Sequence, residues 1–165
     1  MMKRFVLTLI LIALPVECFA AFREVKFGRY YQDAHSKELS PIEWLVLDEN
    51  ENAILLMTKN CIDEIPYNEH RANVTWENCS IRKWLNNEFL STAFTVEEHN
   101  AIIPGIFPDK VFLLDRSEVI KYIPNETDRQ CVPTDYSRYR GTYTNENGLC
   151  AWWTRSPEKD AKAVY

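Results

Sequence analysis

The chain contains no Cys-x-x-Cys pair, no surplus of positive charge, no internal repeat and no apolar run long enough to span a bilayer. Each absence narrows the function. Without the paired-cysteine spacing, the usual sequence sign of a structural zinc site is missing. With 19 Lys and Arg against 24 Asp and Glu, the net charge is −5. Nucleic acid and anionic membrane surfaces attract basic patches, so both are poor partners for this chain. Its three histidines, His35, His70 and His99, lie far apart in polar surroundings. None stands beside a cysteine or serine with a matching acid. No nucleophile–base–acid arrangement is legible, and no cofactor and no metal site is implied.

What is present begins with an export signal. Met1-Met2-Lys3-Arg4 is basic, Phe5 to Val16 is almost wholly apolar, and Cys18-Phe19-Ala20 offers small residues for a signal peptidase. This predicts a signal peptide over residues 1–20, cleaved after Ala20. The apolar run falls short of the roughly 20 residues that cross a bilayer, so no transmembrane segment is expected after cleavage. Glu17 before Cys18 argues against lipid attachment. Residues 21–165 are then one domain of 145 residues, secreted, periplasmic or at the cell surface. The leader's Lys3, Arg4 and Glu17 contribute +1, which leaves about −6 on the remainder. That remainder keeps Cys61, Cys79, Cys131 and Cys150. An even count in an exported chain predicts disulfides, with three connectivities open. Cys131–Cys150 is the favoured pair, since those two are closest in sequence apart from Cys61 and Cys79. The alternative is that all four cysteines are small buried apolar residues.

The hydropathy pattern is α+β. Val25 to Tyr30 alternates as a half-buried strand does, and Pro41 to Asp48 and Ala53 to Thr58 flank a polar turn at Glu49–Asn52, predicting a β-hairpin. Thr75 or Asn78 caps a helix whose apolar face carries Ile81, Trp84, Leu85 and Phe89. Thr95 with Glu98 forms a capping box, and Asp115-Arg116-Ser117-Glu118 opens a further helix that stops before Pro124. Lys110 to Leu114 reads as a short strand, Pro133 to Tyr139 as a turn or short helix ending at Gly141. Trp152 to Arg155 and Ala161 to Tyr165 read as final strands. Strands first and helices after them make α+β rather than alternating α/β.

Five strings stand in order along the chain: Trp44-Leu45-Val46-Leu47-Asp48, Thr75 to Asn86 (TWENCSIRKWLN), Asp109 to Leu114 (DKVFLL), Cys131 to Tyr136 (CVPTDY) and Trp152 to Pro157 (WWTRSP). In this order they resemble a bacterial family of domains of unknown function, whose members often carry a signal peptide or sit in larger surface proteins. The resemblance covers nearly all of residues 21–165. That family in turn looks C-type-lectin-like, in the group of folds that includes the formylglycine-generating, sulfatase-modifying enzymes. The resemblance implies a mixed or antiparallel sheet with an N-terminal hairpin and two to four short helices between the strands. It also implies a first strand paired with a C-terminal one. Family members run on past the Trp-Trp string to a closing segment rich in Arg, Pro and Ala. The domain is therefore expected to be incomplete at its C-terminus, with the closing strands missing. Thr154 and Glu158 stand where the family more often has Leu and Gly. Glu158 puts a tight turn in doubt.

Trp76, Trp152, Trp153, Tyr136 and Arg155 are the candidate ligand-binding residues. Aromatic faces and a guanidinium suit a carbohydrate or protein ligand. The competing reading places Trp44 and Trp84 in the core and gives Arg155 a buried network with carbonyls or a carboxylate. Trp152 and Trp153 point to opposite faces if they lie on a strand. Asn125, Glu126 and Asp128 faintly echo the calcium loops of true lectins, but a helix-stop turn explains them. Cys131 and Cys150 are the pair that a sulfatase-modifying type of enzyme would use, yet their flanking residues do not match. The reading is a non-catalytic ligand-binding or surface scaffold module. The alternatives are an enzyme of the sulfatase-modifying type and a purely structural surface domain.

Overall fold

A computed structural model describes residues 22–105 and 108–156. The predicted leader, Pro157, Glu158 and the predicted strand Ala161–Tyr165 lie outside the described residues. The described part is an α+β domain built on a three-stranded antiparallel open sheet. β1 (Glu24–Tyr31), β2 (Leu39–Glu49) and β3 (Ile54–Thr58) lie in the order β1-β2-β3. The hairpin turn forms where its sequence predicts. Asn50 Oδ1 accepts the backbone N–H groups of Asn52 and Ala53 at 2.8 and 3.0 Å, an Asx turn that closes the β2–β3 connection.

β1 is broken by a bulge between Lys26 and Arg29. Gly28 takes φ +66° there, and a Cβ on it would lie 2.5 Å from the Phe94 ring and 2.8 Å from the Ala93 carbonyl. Only glycine meets both demands, and so the bulge brings helix and sheet together.

The helices follow the sheet rather than lying between strands. The first is α1 (Ser80–Trp84), which passes through a π turn (Leu85–Phe89) into α2 (Leu90–Ala93). It starts later than its sequence suggests. Cys79 occupies the N-cap, while Asn78 turns its side chain back to the Thr75 amide at 2.8 Å. Ile81, Leu85, Phe89 and Leu90 are buried, so the predicted face does pack inward. It meets Tyr30, Ile42 and Trp44 of the sheet in one cluster with Trp76 and Phe94. Phe89 contacts the rings of Tyr30, Trp84 and Phe94, with centroids 5.3, 5.4 and 5.9 Å away.

α3 (Val96–Ala101) and α4 (Arg116–Tyr122) both begin with the predicted capping boxes, Thr95 with Glu98 and Asp115 with Glu118. A 3-10 turn (Glu126–Arg129) and α5 (Asp135–Arg140) complete the helices. α5 starts at a Thr134 cap and ends at Gly141, φ +116°, in the left-handed region that closes helices.

Two predicted strands do not form. Lys110 to Leu114 and Trp152 to Arg155 form no strand, and Lys110, Val111 and Arg155 sit at bends. Side chains and one backbone bond hold Lys110 to Leu114 instead. Asn86 accepts the Lys110 and Val111 amides at 2.9 and 3.2 Å and donates to the Val111 carbonyl at 2.8 Å. Arg155 Nη1 donates to the Leu113 carbonyl at 3.0 Å, and its amide donates to Leu114 O at 3.0 Å. An amide side chain that bonds both polar groups of one residue replaces a neighbouring strand, and hydropathy alone does not reveal it. Among the described residues no strand lies on the outer edge of β1, and no helix is long and apolar enough to cross a membrane.

Candidate functional site

A cleft of about 490 Å³ opens between β3, the helix that carries Trp84, and the segments around Cys131 and Trp152. Its deep end is apolar. Trp44, Ile81, Leu85 and Phe89 are buried there, and Met57 and Ile65 extend the same wall. Three half-buried tryptophans, Trp84, Trp152 and Trp153, line its sides. Asn60, Glu64, Thr142 and Tyr143 supply polar groups to the lining, with Glu64 and Tyr143 exposed, whereas the Asp63 carboxylate is buried. This is the composition of a small-ligand site: mostly apolar walls with a few polar groups.

Both tryptophans of the C-terminal string are held by their ring N–H. Trp152 Nε1 donates to the Arg129 carbonyl at 2.7 Å, and Trp153 Nε1 to the Ile65 carbonyl at 3.1 Å. Trp153 also packs edge-on against Tyr67 at 5.8 Å. With the N–H groups spent, the rings offer π faces and not donors to anything in the cleft.

The remaining candidates lie elsewhere. Trp76 is 3 % exposed, and its Nε1 donates to the buried Asp109 carboxylate at 3.1 Å. Asp109 also accepts from Arg82 Nε at 2.7 Å, and this contact raises the Arg82 pKa. Trp76 is thus corrected from ligand residue to core residue: its one polar atom is paired inside and its ring has no open face. Tyr136 packs at a tilt against Tyr31 at 5.0 Å and meets Tyr30 edge-on at 6.1 Å, outside the cleft lining. Tyr30 in turn donates to Asp63 at 2.7 Å, and Arg140 Nε bonds the same carboxylate at 3.1 Å. Burial, and then the Asp63 carboxylate, push the Tyr30 phenol well above its ordinary range.

Arg155 takes the structural role. Its Nη1 donates to Glu118 at 2.6 Å, and its Nη2 to Asp115 at 3.0 Å and Glu118 at 3.1 Å. Burial works against its charge, but Glu118 and Asp115 outweigh that and hold the guanidinium above its ordinary pKa. The last tryptophan string is thereby clamped to the α4 cap, and no donor of that clamp faces a ligand. His35 and His70 are exposed, His99 is half-buried, and none lines the cleft.

The cysteines depart from expectation. The disulfide joins Cys61 to Cys131, not Cys131 to Cys150. Cys131 and Cys150 do face each other across an antiparallel bridge, but their sulfurs stand 3.5 Å apart. Cys61 enters from the other side of the Cys131–Thr134 stretch, tied to it by Cys61 N–H to Val132 O at 3.2 Å and Thr134 N–H to Cys61 O at 2.9 Å. Proximity in sequence favoured Cys150; the fold delivers a third sulfur from 70 residues away. Cys150 stays a buried thiol, its pKa raised chiefly by burial. Cys79 is a separate buried thiol, donating to the Trp76 carbonyl at 3.3 Å. Asn86, Asp63 and Asp109 are the site and scaffold residues that sequence reading passes over. Asn86 and Asp109 lie inside two of the five strings, and that position is the one signal that marks them.

An α+β domain with a hairpin sheet, an apolar cleft and a sulfur cluster at its edge is the class these features define. Residues 51–165 match a family described as a domain of unknown function (DUF6273); the match covers more than two thirds of the chain, which belongs to that family. No curated protein and no solved structure matches it.

Proposed function

We propose that this chain is an exported, non-catalytic binding module of C-type-lectin-like kinship that seats its ligand in the cleft between Trp84, Trp152 and Trp153. The observation that carries the reading is the wall itself. Three tryptophan rings around an apolar floor, with carboxylate and amide groups at the mouth, suit the apolar face and hydroxyl rim of a carbohydrate. The lectin-like kinship draws support from the N-terminal antiparallel sheet followed by short helices. Export draws support from the basic, apolar and small-residue order of residues 1–20.

The test is a titration of the purified chain with oligosaccharides drawn from bacterial and host surfaces, read by tryptophan fluorescence and calorimetry. Saturable binding that Trp152→Ala abolishes while the fold persists supports the reading. Saturable binding that survives Trp152→Ala, or none to any glycan, overturns it.

One observation favours a second reading, an oxidising enzyme of the sulfatase-modifying type. Cys61 and Cys131 line this same cleft. Against it, no histidine lines the cleft, and burial raises the Cys150 thiol pKa where a nucleophile needs it lowered. Cysteine-dependent oxidation of a thiol peptide by the purified chain would favour that reading over binding alone.

A further inference from the structure

Three sulfurs from three separate stretches of chain meet at one end of the cleft. Cys61 follows β3, Cys131 precedes α5, and Cys150 opens the segment that carries Trp152 and Trp153. Their backbones are registered by hydrogen bonds. Cys131 N–H donates to Cys150 O at 3.2 Å and Cys150 N–H to Cys131 O at 2.9 Å, while Cys61 pairs with the stretch just after Cys131. Cys150 Sγ stands 2.8 Å from Cys61 Sγ and 3.5 Å from Cys131 Sγ. All three ligand atoms lie within 4.8 Å of one another.

Two uses of a third sulfur can be weighed by geometry. In thiol–disulfide exchange, the attacking sulfur lies in line with the bond it breaks. With Cys150 2.8 Å from Cys61, a linear approach would place Cys150 about 4.9 Å from Cys131, given an ordinary S–S bond of about 2.05 Å. The actual 3.5 Å makes a compact triangle, not a line. A triangle of sulfurs is the donor set of a thiophilic ion.

We propose that, in the reduced chain, Cys61, Cys131 and Cys150 form a trithiolate site for one Zn2+ ion whose fourth position faces the cleft. Zn–S bonds of about 2.3 Å in a tetrahedral site set the sulfurs about 3.8 Å apart. Opening the Cys61–Cys131 bond lets the side chains spread to that spacing without moving the paired backbones. Binding releases three protons from three thiols and leaves a net charge of −1 on the ion and its thiolates. Arg138 Nη2 donates to the Gly148 carbonyl at 3.2 Å, two residues before Cys150, and its positive charge offsets part of that charge. Cys61 and Cys131 line the cleft together with the exposed Glu64, so water or that carboxylate completes the shell from that side. No Cys-x-x-Cys spacing is needed, because the ligands come together through the fold. The site is independent of what else the cleft binds.

The experiment uses the full chain, reduced with a phosphine in the absence of oxygen and titrated with Zn2+ against a chromophoric chelator. Co2+ serves as the spectroscopic probe of thiolate ligation. One equivalent is expected, with thiolate-to-cobalt charge transfer. Cys61→Ser, Cys131→Ser and Cys150→Ser should each weaken Zn2+ by about 10-fold or more, and Cys79→Ala should leave it unchanged. Because a variant can fail to fold, the unsubstituted chain supplies a second readout. Zn2+ should protect Cys61, Cys131 and Cys150 from alkylation, as read on their separate peptides. Stoichiometric binding with that protection pattern supports the site. No binding to the reduced chain, binding that the oxidised chain shows equally, or protection that omits Cys150 overturns it.

Discussion

The two halves of the described chain are held together by different physics. Residues 22–105 are built on backbone ladders and apolar burial. Residues 108–156 have no ladder beyond isolated bridges and are fastened to the first half and to each other by side chains and scattered backbone bonds. Among the described residues, twelve of the sixteen buried apolar side chains lie between Tyr30 and Phe94, and four lie between Leu114 and Cys150. The second half therefore draws less on the hydrophobic effect and more on individual polar contacts. Asn86 fixes the 110–111 stretch, Arg155 clamps the C-terminal segment to α4, Arg129 reaches the Ile123 and Pro124 carbonyls at 2.9 Å each, and sulfur ties Cys61 to Cys131. The cleft lies at the seam. Its floor belongs to the first half, and Trp152 and Trp153 belong to the second. A stable floor with a separately fastened wall is a way to hold a ligand without strain in the core.

The comparison breaks most sharply at Trp76. Truncating a buried aromatic costs about 3–5 kcal/mol, and Trp76→Ala also removes one of the two donors on the buried Asp109 carboxylate, leaving Arg82. Urea unfolding should show a loss in the upper part of that range. Trp84→Ala should cost clearly less, since that ring is half-buried on the cleft wall. Equal losses would mean that the cleft wall is as much core as the floor.

Reduction comes next and acts on the second half. The Cys61–Cys131 bond spans a sequence separation of 70 residues. Closing a loop of that length restrains the unfolded chain by up to about 4 kcal/mol in the entropic account, and measured values are often lower. A reducing agent should lower stability toward that amount. Hydrogen exchange should quicken first in 108–115 and 145–156, with β1 to β3 still protected. Uniform quickening would show one cooperative unit in place of two unequal halves.

How much of this was legible depends on the range of each interaction. The hairpin is a local, period-two pattern with an Asx turn. The capping boxes at Thr95 and Asp115 close within four residues, and the Gly141 stop is equally local. The 110–114 and 152–155 stretches read as strands from hydropathy, but they form none. The 110–114 backbone is held by Asn86 and Arg155, 25 and 42 residues distant. The site follows the same rule. Trp152 and Trp153 are conspicuous by type, and the structure places them together in the cleft. Trp76 is equally conspicuous and lies in the core, because burial is a tertiary property. The disulfide partner was chosen by nearness in sequence, whereas a parallel bridge between Cys61 and Pro133 settles it.

Arg155→Ala tests the clamp between the halves. The guanidinium side chain is 9 % exposed, while Asp115 and Glu118 are 31 % and 21 % exposed. A fully buried pair loses about 3–5 kcal/mol when broken; partial exposure of the carboxylates reduces this to about 2 kcal/mol. The same network sets a pH dependence. Ser117, the Glu118 amide and Arg155 hold the Asp115 carboxyl below its ordinary pKa of 3.8. A depressed folded value means that its stabilisation is fully present above the unfolded pKa and is lost as pH falls through the folded one. Acid titration of stability below about pH 4 should therefore be shallower in Arg155→Ala than in the parent. Identical acid limbs would remove Arg155 from the account.

The smallest effects come from two glycines with the same backbone sign and opposite surroundings. Gly28 has φ +66°, and an added Cβ would meet the Phe94 ring at 2.5 and 2.7 Å and the Ala93 carbonyl at 2.8 Å. Gly141 has φ +116° with nothing within 4 Å. Gly141→Ala therefore carries backbone strain alone, about 1 kcal/mol. Gly28→Ala carries that strain plus the displacement of Phe94, a ring packed on Phe27 at 5.1 Å and Phe89 at 5.9 Å, for about 2 kcal/mol in all. Thermal unfolding of the two variants should separate them, and the double variant should be additive, since no contact joins the two sites. If Gly141→Ala costs as much as Gly28→Ala, helix and sheet are not in close contact at the bulge. The first half would then be fastened as loosely as the second.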